Sequence, residues 1–370
     1  MVAQLPSLLH VASCHKIGLT NQEVERAIAF QNIGKFKFMV VCGEKEQVPG
    51  LKERLANNDI LFTVILGLDD HLKPLRLIKE CVQLIKNFSP DIIALTTNWH
   101  LCIFGIAKLF VKKKPKLVYT IHGFRNQSKL KSTVFRVPLI ALLFLFASLV
   151  IAPTSWVGKK FILLKSKLVV IPLGISTIFI GKYIKPDFSK PIIFLFASNF
   201  RDGKNHQSLI ATFAKYLRNN SQSSVNLYLP GSGNYLNKMK SHVSQLHLEN
   251  RIFFPGELSA IELHNLYLES QFAIIPSLSE TFGFCIAEPL IMGRIVISNR
   301  VGVALDIITS GENGFLFDDQ DHLYKLMYQV LSMSEENLLV ISKTAYDSSQ
   351  SLNWTEVVNI QSEKLIQLLK

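Results

Sequence analysis

The sequence has few cysteines, no signal-peptide pattern and no apolar run long enough to span a membrane. Its five cysteines are scattered and lack Cys-x-x-Cys spacing, which argues against a disulfide framework or a zinc knuckle and favours a reducing cytosol. The first residues lack a basic segment, so no signal peptide is expected. The apolar stretch at residues 137–152 is shorter than the roughly 20 residues of a spanning helix. We therefore expect a cytoplasmic protein.

Positive charge is concentrated in the first half of the chain. Residues 1–175 hold 24 Lys/Arg against 10 Asp/Glu, a net charge of +14, whereas residues 176–370 hold 16 against 18, a net charge of −2. Such a basic half suggests a large anionic partner, either nucleic acid or an anionic membrane. Aromatic residues are not interleaved with the basic ones as in single-strand binding platforms, so we expect no nucleic acid.

Basic residues also flank the apolar stretch at residues 137–152. They are Lys112, Lys113, Lys114, Lys116, Lys129, Lys131 and Arg136 before it, and Lys159, Lys160, Lys165 and Lys167 after it. We interpret the stretch as a buried helix followed by a strand, and the alternative is a helix that dips into one leaflet. Basic clusters beside exposed apolar surface are typical of proteins that sit on an anionic leaflet. A solvated basic face remains the plainer interpretation.

Short apolar segments alternate with helical patterns along the chain. In the first half the strand-like segments are residues 8–12, 38–42, 61–66, 91–95 and 117–121, with helical periodicity at 21–33, 73–88 and 100–112. The alternation restarts at residue 192 and ends in an amphipathic helix after Trp354. This pattern predicts parallel, doubly wound sheets with ligand sites at the carboxyl ends of their strands. A chain of 370 residues favours two such domains.

Two glutamates lie between two apolar, strand-like segments of the second half. The segments are residues 272–276 and 295–298, and the carboxylates are those of Glu280 and Glu288, with Gly283 between them. We predict a loop carrying Glu280, a helix starting near Gly283, and Glu288 in its second turn. A helix N-terminus suits a phosphate, and the carboxylates can accept hydrogen bonds from sugar hydroxyls. The alternative is an ordinary strand–turn–helix unit with two solvated glutamates.

A basic loop follows the first strand of the second half. Arg201 and Lys204 lie between the strand at residues 192–197 and the next helix, where they could neutralise a diphosphate. A dinucleotide fingerprint is excluded, because Gly231-x-Gly233 is followed by Leu236 where a third glycine is required. The acidic run at residues 318–321 is assigned to capping of the following helix by Asp319 or Asp321, so we predict no metal site.

The motif Glu280-Thr281-Phe282-Gly283-Phe284 with Glu288 and Gly293 resembles the signature of retaining glycosyltransferases of family 4. The resemblance covers the second half closely and the first half loosely. It implies the GT-B fold: two Rossmann-like α/β domains that face each other across a cleft, with a C-terminal helix that packs back on the first domain. The expected bounds are 1–174 for the acceptor domain, 175–191 for a linker, 192–350 for the nucleotide-sugar domain and 351–370 for the returning helix.

The resemblance also implies roles for individual residues. Glu288 would hold the ribose and Glu280 the donor sugar, while Lys204 and Arg201 would stabilise the diphosphate. The backbone from Thr281 through Phe282 and Gly283 to Phe284 would line the same site. His122, which follows the strand at residues 117–121, matches a histidine that contacts the donor sugar; the alternative is a packing histidine.

The chain departs from the family pattern at three places. Asn199 stands where the family arginine is common, which leaves open whether Arg201 replaces it. Leu173 occupies a position where asparagine is common. The Gly-Gly loop expected after the first strand is absent from residues 14–23, which hold only Gly18.

The expected function is transfer of a sugar from a nucleotide diphosphate sugar to a hydroxyl acceptor, with retention at the anomeric carbon and no cofactor or metal. The acceptor is expected to be a lipid-linked glycan of surface-polysaccharide synthesis (lipopolysaccharide, capsule or exopolysaccharide), reached from the inner face of the cytoplasmic membrane. The alternatives are a sugar-nucleotide epimerase of the same fold and, less favoured, a nucleic-acid-binding protein.

Overall fold

The predicted alternation of apolar segments and helices forms two separate parallel sheets. The computed structural model describes residues 5–12, 17–43, 51–69, 73–122 and 129–370, excluding the side chains of residues 17–20, 51 and 129–137. The chain divides into two compact units: Met1–Ser176 with Asn353–Lys370, and Thr177–Leu352. Residues 13–16, which include Cys14, and Gly123 lie outside the described residues.

The sheet of the first unit has the strand order β3-β2-β1-β4-β5-β6-β7, and neighbouring strands are parallel. Its strands are β1 (Ser7–Val11), β2 (Lys37–Cys42), β3 (Phe62–Val64), β4 (Ile92–Leu95), β5 (Lys116–Thr120), β6 (Leu149–Ala152) and β7 (Leu168–Val170). Every residue of β1 is buried, as expected of a central strand covered on both faces. The strand order changes direction at β1, so the carboxyl ends of β1 and β4 flank the crevice of a doubly wound fold.

The first unit's helices connect these strands. They are α1 (Ile17–Ile33), α2 (Leu51–Ala56), α3 (Pro74–Phe88), α4 (Asn98–Ala107), α5 (Lys129–Phe146) and α6 (Ser155–Lys160). The helix predicted at 100–112 ends at Ala107 and continues as a 3-10 turn, Lys108–Phe110. Among the described residues, no helix is both long and apolar enough to cross a membrane.

The prediction that residues 137–152 begin with a buried helix is wrong for the described part of α5. Of residues 138–146 only Leu143 is fully buried, whereas Phe144 and Leu145 are 63% and 69% exposed. The strand predicted after it is confirmed as β6. Apolar side chains tend to avoid water, but their sequence alone does not determine whether the rest of the fold covers them.

The sheet of the second unit has the order β10-β9-β8-β11-β12-β13 and is also parallel throughout. Its strands are β8 (Ile192–Leu195), β9 (Val225–Tyr228), β10 (Ile252–Phe253), β11 (Phe272–Ile275), β12 (Ile295–Asn299) and β13 (Phe315–Phe317). Its helices are α7 (His206–Asn219), α8 (Leu236–Gln245), α9 (Ala260–Glu269), α10 (Phe284–Ile291), α11 (Ala304–Ile307), α12 (Gln320–Ser332) and α13 (Glu335–Ser349). The predicted helix cap is confirmed, because the Asp319 side chain accepts from the His322 N–H at 2.8 Å.

Most of the segment predicted as a linker, residues 175–191, belongs to the second unit. Residues from Thr177 onward are part of that unit. Phe179 is buried against Tyr267, with ring centroids 6.0 Å apart, and the Tyr183 hydroxyl lies 2.9 Å from Ser342 Oγ. Phe179 and Tyr183 therefore fix this segment to the second unit.

The last helix, α14 (Trp354–Gln367), returns to the first unit and packs against α1. Its N-cap is Asn353, whose side chain accepts from the backbone N–H of Glu356 at 2.9 Å. Trp354 is buried, and a Cβ added at Gly174 would lie 2.2 Å from its ring. The predicted return of the C-terminal helix to the first domain is confirmed.

Candidate active site

The second unit brings together two predicted site residues, Lys204 and Glu280. Lys204 follows β8 and Glu280 follows β11, and these strands are parallel neighbours in the sheet. Because their carboxyl ends meet at one edge, the two loops converge there. Lys204 Nζ lies 2.5 Å from Glu280 Oε1, and the two side chains are only 11% and 9% exposed. The backbone N–H of Leu278 donates to the carbonyl of Gly203 at 2.8 Å, which ties the loops together.

The charge on Lys204 is stabilised within this buried site. Burial alone would lower its pKa, but the interactions with Cys285 and with the Glu280 carboxylate, including the hydrogen bond to Glu280, raise the pKa above its ordinary value. Cys285 Sγ lies 3.8 Å from Glu280 Oε1, and burial raises the pKa of this thiol. An ammonium and a carboxylate therefore share a mostly dry site, where electrostatic interactions are stronger than in water.

Arg201 differs from Lys204 in its exposure. Its side chain is exposed and lines a pocket of about 130 Å³ together with Tyr235 and Lys238. Its positive charge lowers the pKa of Lys204, which opposes the effect of Glu280. Asn199, at the usual position of the family arginine, is also exposed.

His206 is a buried histidine beside Lys204 that sequence reasoning did not select. Its Nε2 lies 3.1 Å from Ser198 Oγ, and its ring stacks on Phe200 with centroids 4.1 Å apart. Burial, with the nearby charge of Lys204, lowers the pKa of His206 to about 4. His206 is therefore neutral near pH 7 and adds no second positive charge beside Lys204.

The backbone between Glu280 and α10 is held by a glycine that sequence reasoning missed, Gly302. The N–H of Val303 donates to the carbonyl of Phe282 at 2.7 Å. A Cβ at Gly302 would lie 2.3 Å from that carbonyl oxygen and 2.9 Å from Glu280 Cβ. Gly302 also has φ +54°, so only glycine fits both the conformation and the contact. Its position shortly after the apolar strand β12 was the available signal.

The predicted helix start is confirmed at Gly283, which caps α10 with φ +98°. Phe284 is the first residue of the helix, and Phe282, just before Gly283, is buried. Thr281 precedes Phe282 and is partly exposed. The first amides of a helix have no partners within the helix, so this end of α10 presents N–H groups and a positive dipole.

Glu288 lies in the second turn of α10, as predicted. The Tyr267 hydroxyl donates to its Oε2 at 3.4 Å. Burial raises the pKa of Glu288 to about 8, although the Tyr267 hydrogen bond lowers it in part. Tyr267 is fully buried on α9 and was not selected from sequence, where it is one aromatic residue of an amphipathic helix.

His122 belongs to the first unit, where it follows β5. Its Nε2 lies 3.1 Å from Glu23 Oε1, and its side chain is 4% exposed. Glu23 Oε2 lies 2.6 Å from His10 Nε2. Sequence reasoning missed Glu23 and His10, because one glutamate among the several polar residues of α1 and one histidine in β1 carry no local signal.

Two family models match successive parts of the chain. The model described as Glycosyltransferase Family 4 matches residues 36–179, and the model described as Glycosyl transferases group 1 matches residues 183–347. The chain belongs to the family 4 glycosyltransferases.

Curated proteins from other organisms are similar to parts of this chain. This glycosyltransferase is 24% identical to alpha-monoglucosyldiacylglycerol synthase of Streptococcus pneumoniae over 73% of the chain and 66% of the relative. It is 30% identical to N-acetyl-alpha-D-glucosaminyl L-malate synthase of Bacillus anthracis over 35% of the chain and 32% of the relative. The chain thus spans less than two thirds of the length of each of these curated relatives.

Solved structures establish the GT-B fold of this glycosyltransferase. A crystal structure of Anabaena Alr3699/HepE in complex with UDP and glucose has a TM-score of 0.77 and 21% identity, covering 98% of this chain and 100% of that one. A glycosyltransferase from Rickettsia africae ESF-5 has a TM-score of 0.77 and 19% identity, covering 99% of both chains.

Proposed function

We propose that this protein transfers a sugar from a nucleotide diphosphate sugar to a hydroxyl acceptor, with retention of configuration and without a metal ion. The observation that carries the proposal is the buried Lys204–Glu280 pair beside the N-terminus of α10. Family membership supports the reaction class. The structural neighbour from Anabaena, crystallised with UDP and glucose, supports a nucleotide sugar as donor.

The reaction places negative charge on the leaving nucleoside diphosphate as the glycosidic bond breaks. Lys204 provides a buried ammonium for that charge, and the first amides of α10, at Gly283 and Phe284, provide hydrogen-bond donors. Arg201 adds a second, exposed positive charge. Preorganised donors of this kind commonly supply the largest part of catalysis, with roughly 3–4 kcal/mol lost when one is removed.

The ion pair in the free protein implies an exchange of partners on donor binding. Lys204 is held by Glu280 at 2.5 Å, so a bound diphosphate competes with Glu280 for the ammonium. Glu280 is then available to accept a hydrogen bond from a hydroxyl of the donor sugar. Glu288 accepts from the ribose hydroxyls, and we assign His122 a role in binding a sugar hydroxyl.

A thermal-shift screen against UDP, GDP, ADP and their sugar conjugates tests the donor site. A ligand that binds only the folded protein raises the melting temperature by mass action. We expect one nucleotide to raise it clearly, Glu288→Ala to abolish the shift, and the exposed control Glu269→Ala to retain it. No shift with any nucleotide from folded protein would contradict the proposal. Product analysis without acceptor separates transfer from epimerisation, which would release an inverted sugar.

For the acceptor, we propose a lipid-linked glycan of surface-polysaccharide synthesis, with the protein held peripherally on the inner face of the cytoplasmic membrane. An exposed apolar surface supports membrane contact. We call it the α5 patch, and it consists of Phe144, Leu145, Ile162 and Leu163, which are 61–75% exposed. The 3-10 turn Ile162–Leu164 packs against α5, so the two pairs are neighbours.

Two lysines lie beside the α5 patch. Lys167 Nζ donates to the carbonyl of Phe144 at 2.7 Å, and Lys108 Nζ donates to the carbonyl of Phe146 at 3.1 Å. Exposed apolar side chains with lysines beside them suit the interface of an anionic leaflet. The patch precedes β6 and β7, at the amino edge of the sheet, whereas His122 follows β5 at the carboxyl edge. We therefore propose the patch as an anchor that is separate from the reaction site.

Vesicle sedimentation tests the anchor with a matched control. Leu145→Gln/Leu163→Gln should weaken binding to phosphatidylglycerol vesicles at least about tenfold, since burying one leucine is worth about 1.5–3 kcal/mol. Leu75→Gln, which alters a leucine that is 77% exposed on α3, should bind like the wild type. Equal binding by the double variant and the wild type would remove the α5 patch from the proposal.

A further inference from the structure

The first unit contains a buried carboxylate, Glu23, that lies between two histidines. Its Oε2 is 2.6 Å from His10 Nε2 and its Oε1 is 3.1 Å from His122 Nε2. The Glu23 side chain is 1% exposed, and those of His10 and His122 are 0% and 4% exposed. His10 lies in β1, His122 follows β5 and Glu23 lies on α1, so three separate elements contribute to the cluster.

The carboxylate is ionised and fixed in place. Burial alone would raise the pKa of Glu23, but His10 and His122 hold it well below its ordinary value. A guanidinium nitrogen of Arg26 lies 4.0 Å from Glu23 Oε2, the oxygen that also faces His10. The Arg26 guanidinium donates to Gln361 Oε1 at 2.9 and 3.1 Å, which links the cluster to α14.

This arrangement sets the proton positions on His122. An ionised carboxylate can only accept, so the 3.1 Å contact between His122 Nε2 and Glu23 Oε1 favours the tautomer with its hydrogen on Nε2. Its other ring nitrogen, Nδ1, is buried and has no hydrogen-bond partner among the described residues. Buried polar atoms are rarely left without a partner, and an exception calls for an explanation.

We infer that Glu23 is a positioning residue, which holds the His122 ring with Nε2–H on the carboxylate and leaves Nδ1 free to accept a hydrogen bond from a hydroxyl of the sugar substrate. The inference rests on the proposed function. Glu23 is deeply buried and its two oxygens already face histidines, so it acts through His122 and does not contact the substrate itself. The relation parallels that of an orienting carboxylate and a histidine in other enzymes, where it selects the tautomer.

Nitrogen-15 NMR of the imidazoles tests the inference directly in the wild-type protein. The His122 signals are assigned by their loss in His122→Phe. We expect a protonated Nε2 and an unprotonated Nδ1 at pH 7.5, and a change in the Nδ1 shift when the nucleotide sugar that raises the melting temperature is added. A protonated Nδ1 in the free protein, or an Nδ1 shift unchanged by saturating ligand, would overturn the inference.

Kinetics of Glu23→Met supply the second test. Methionine has a similar length but no acceptor, so His122 loses its anchor and exchanges between tautomers. We expect kcat/KM to fall about 10- to 100-fold, mainly in kcat. The matched control is Glu25→Met on the same helix, whose carboxylate instead accepts from Ser176 Oγ at 2.6 Å, and its kcat should stay within about twofold of the wild type. Unchanged kcat/KM in folded Glu23→Met would refute the positioning role.

The two proposals fail in different ways. If the wild-type protein binds no nucleotide and transfers no sugar, the proposed function fails, and the inference that rests on it fails too. If transfer occurs but the His122 tautomer or the Glu23→Met rate contradicts the expectation, only the positioning role fails. If Glu23→Met does not fold, the wild-type NMR measurement still decides the matter.

Discussion

Replacement of Lys204 by methionine tests the central ion pair. The substitution keeps the length of the side chain but removes the ammonium that lies 2.5 Å from Glu280 Oε1. Both side chains are about nine-tenths buried, so Glu280 is left as a largely uncompensated charge. Breaking a buried pair from one side costs about 3–5 kcal/mol. Because each group retains some exposure, we expect the low end, about 3 kcal/mol.

The loss is measurable as a change in melting temperature and in turnover. A domain of this size loses about 2–4 °C per kcal/mol, which gives a fall of about 6–12 °C. In the transition state, the missing positive charge should lower kcat about 100- to 1,000-fold. Urea denaturation should give the corresponding change in the free energy of unfolding.

Two further variants make the reasoning refutable. Lys204→Met/Glu280→Leu removes both charges and should be more stable than Lys204→Met alone, because no isolated charge remains buried. Lys215→Met breaks an exposed pair with Asp321, at 3.3 Å, and should cost less than about 1 kcal/mol. The account of a dry, mutually dependent pair would be wrong if Lys204→Met were as stable as Lys215→Met. It would also be wrong if the loss of stability in the double variant equalled the sum of the losses in Lys204→Met and Glu280→Leu.

Two other outcomes are expected from the same unit. Nucleotide affinity should rise with pH up to about 8, because we propose that the ribose hydroxyls bind the ionised form of Glu288, in which both oxygens accept, and its pKa is raised to about 8. Titration calorimetry should show roughly tenfold weaker binding per pH unit below that value, a dependence absent in Glu288→Gln. Gly302→Ala should lower stability by about 2 kcal/mol or more and abolish nucleotide binding, since its Cβ would lie 2.3 Å from the Phe282 carbonyl oxygen. Gly311→Ala, where no atom lies within 4 Å of the added Cβ, is the control for the left-handed backbone alone, and binding should survive it.

Local patterns predicted the elements that carry the proposed donor site. Alternating apolar segments and helices gave the parallel sheets, and Gly283 marked the start of α10, which places Glu288 in its second turn. These features depend on neighbours within a few residues, so spacing alone predicts them. The pairing of Lys204 with Glu280 spans 76 residues and depends on β8 and β11 being adjacent in the sheet. Sequence could place both residues in loops, but not show that they touch.

The features that sequence reasoning missed share a physical cause. Glu23 is one of several polar residues of α1 and His10 lies in the mostly apolar β1, and only their meeting in the fold makes them a cluster. Gly302 matters because another loop approaches its backbone. The α5 helix was expected to be buried because it is apolar, yet Phe144 and Leu145 are exposed. Hydrophobicity describes the preference of a side chain to leave water, whereas its burial depends on the rest of the fold.

The path of the chain through the two units affects the order in which they can fold during synthesis. The chain leaves the first unit at Ser176 and returns at Asn353, beside Ile175, with which Asn353 forms an isolated parallel bridge. The second unit is contiguous, so all its contacts are available once Leu352 has left the ribosome. The first unit starts earlier but finishes later, because Trp354 and other residues of α14 belong to its core. Until α14 emerges, the apolar surface of α1 that it covers is open to the solvent and to any chaperone that binds it.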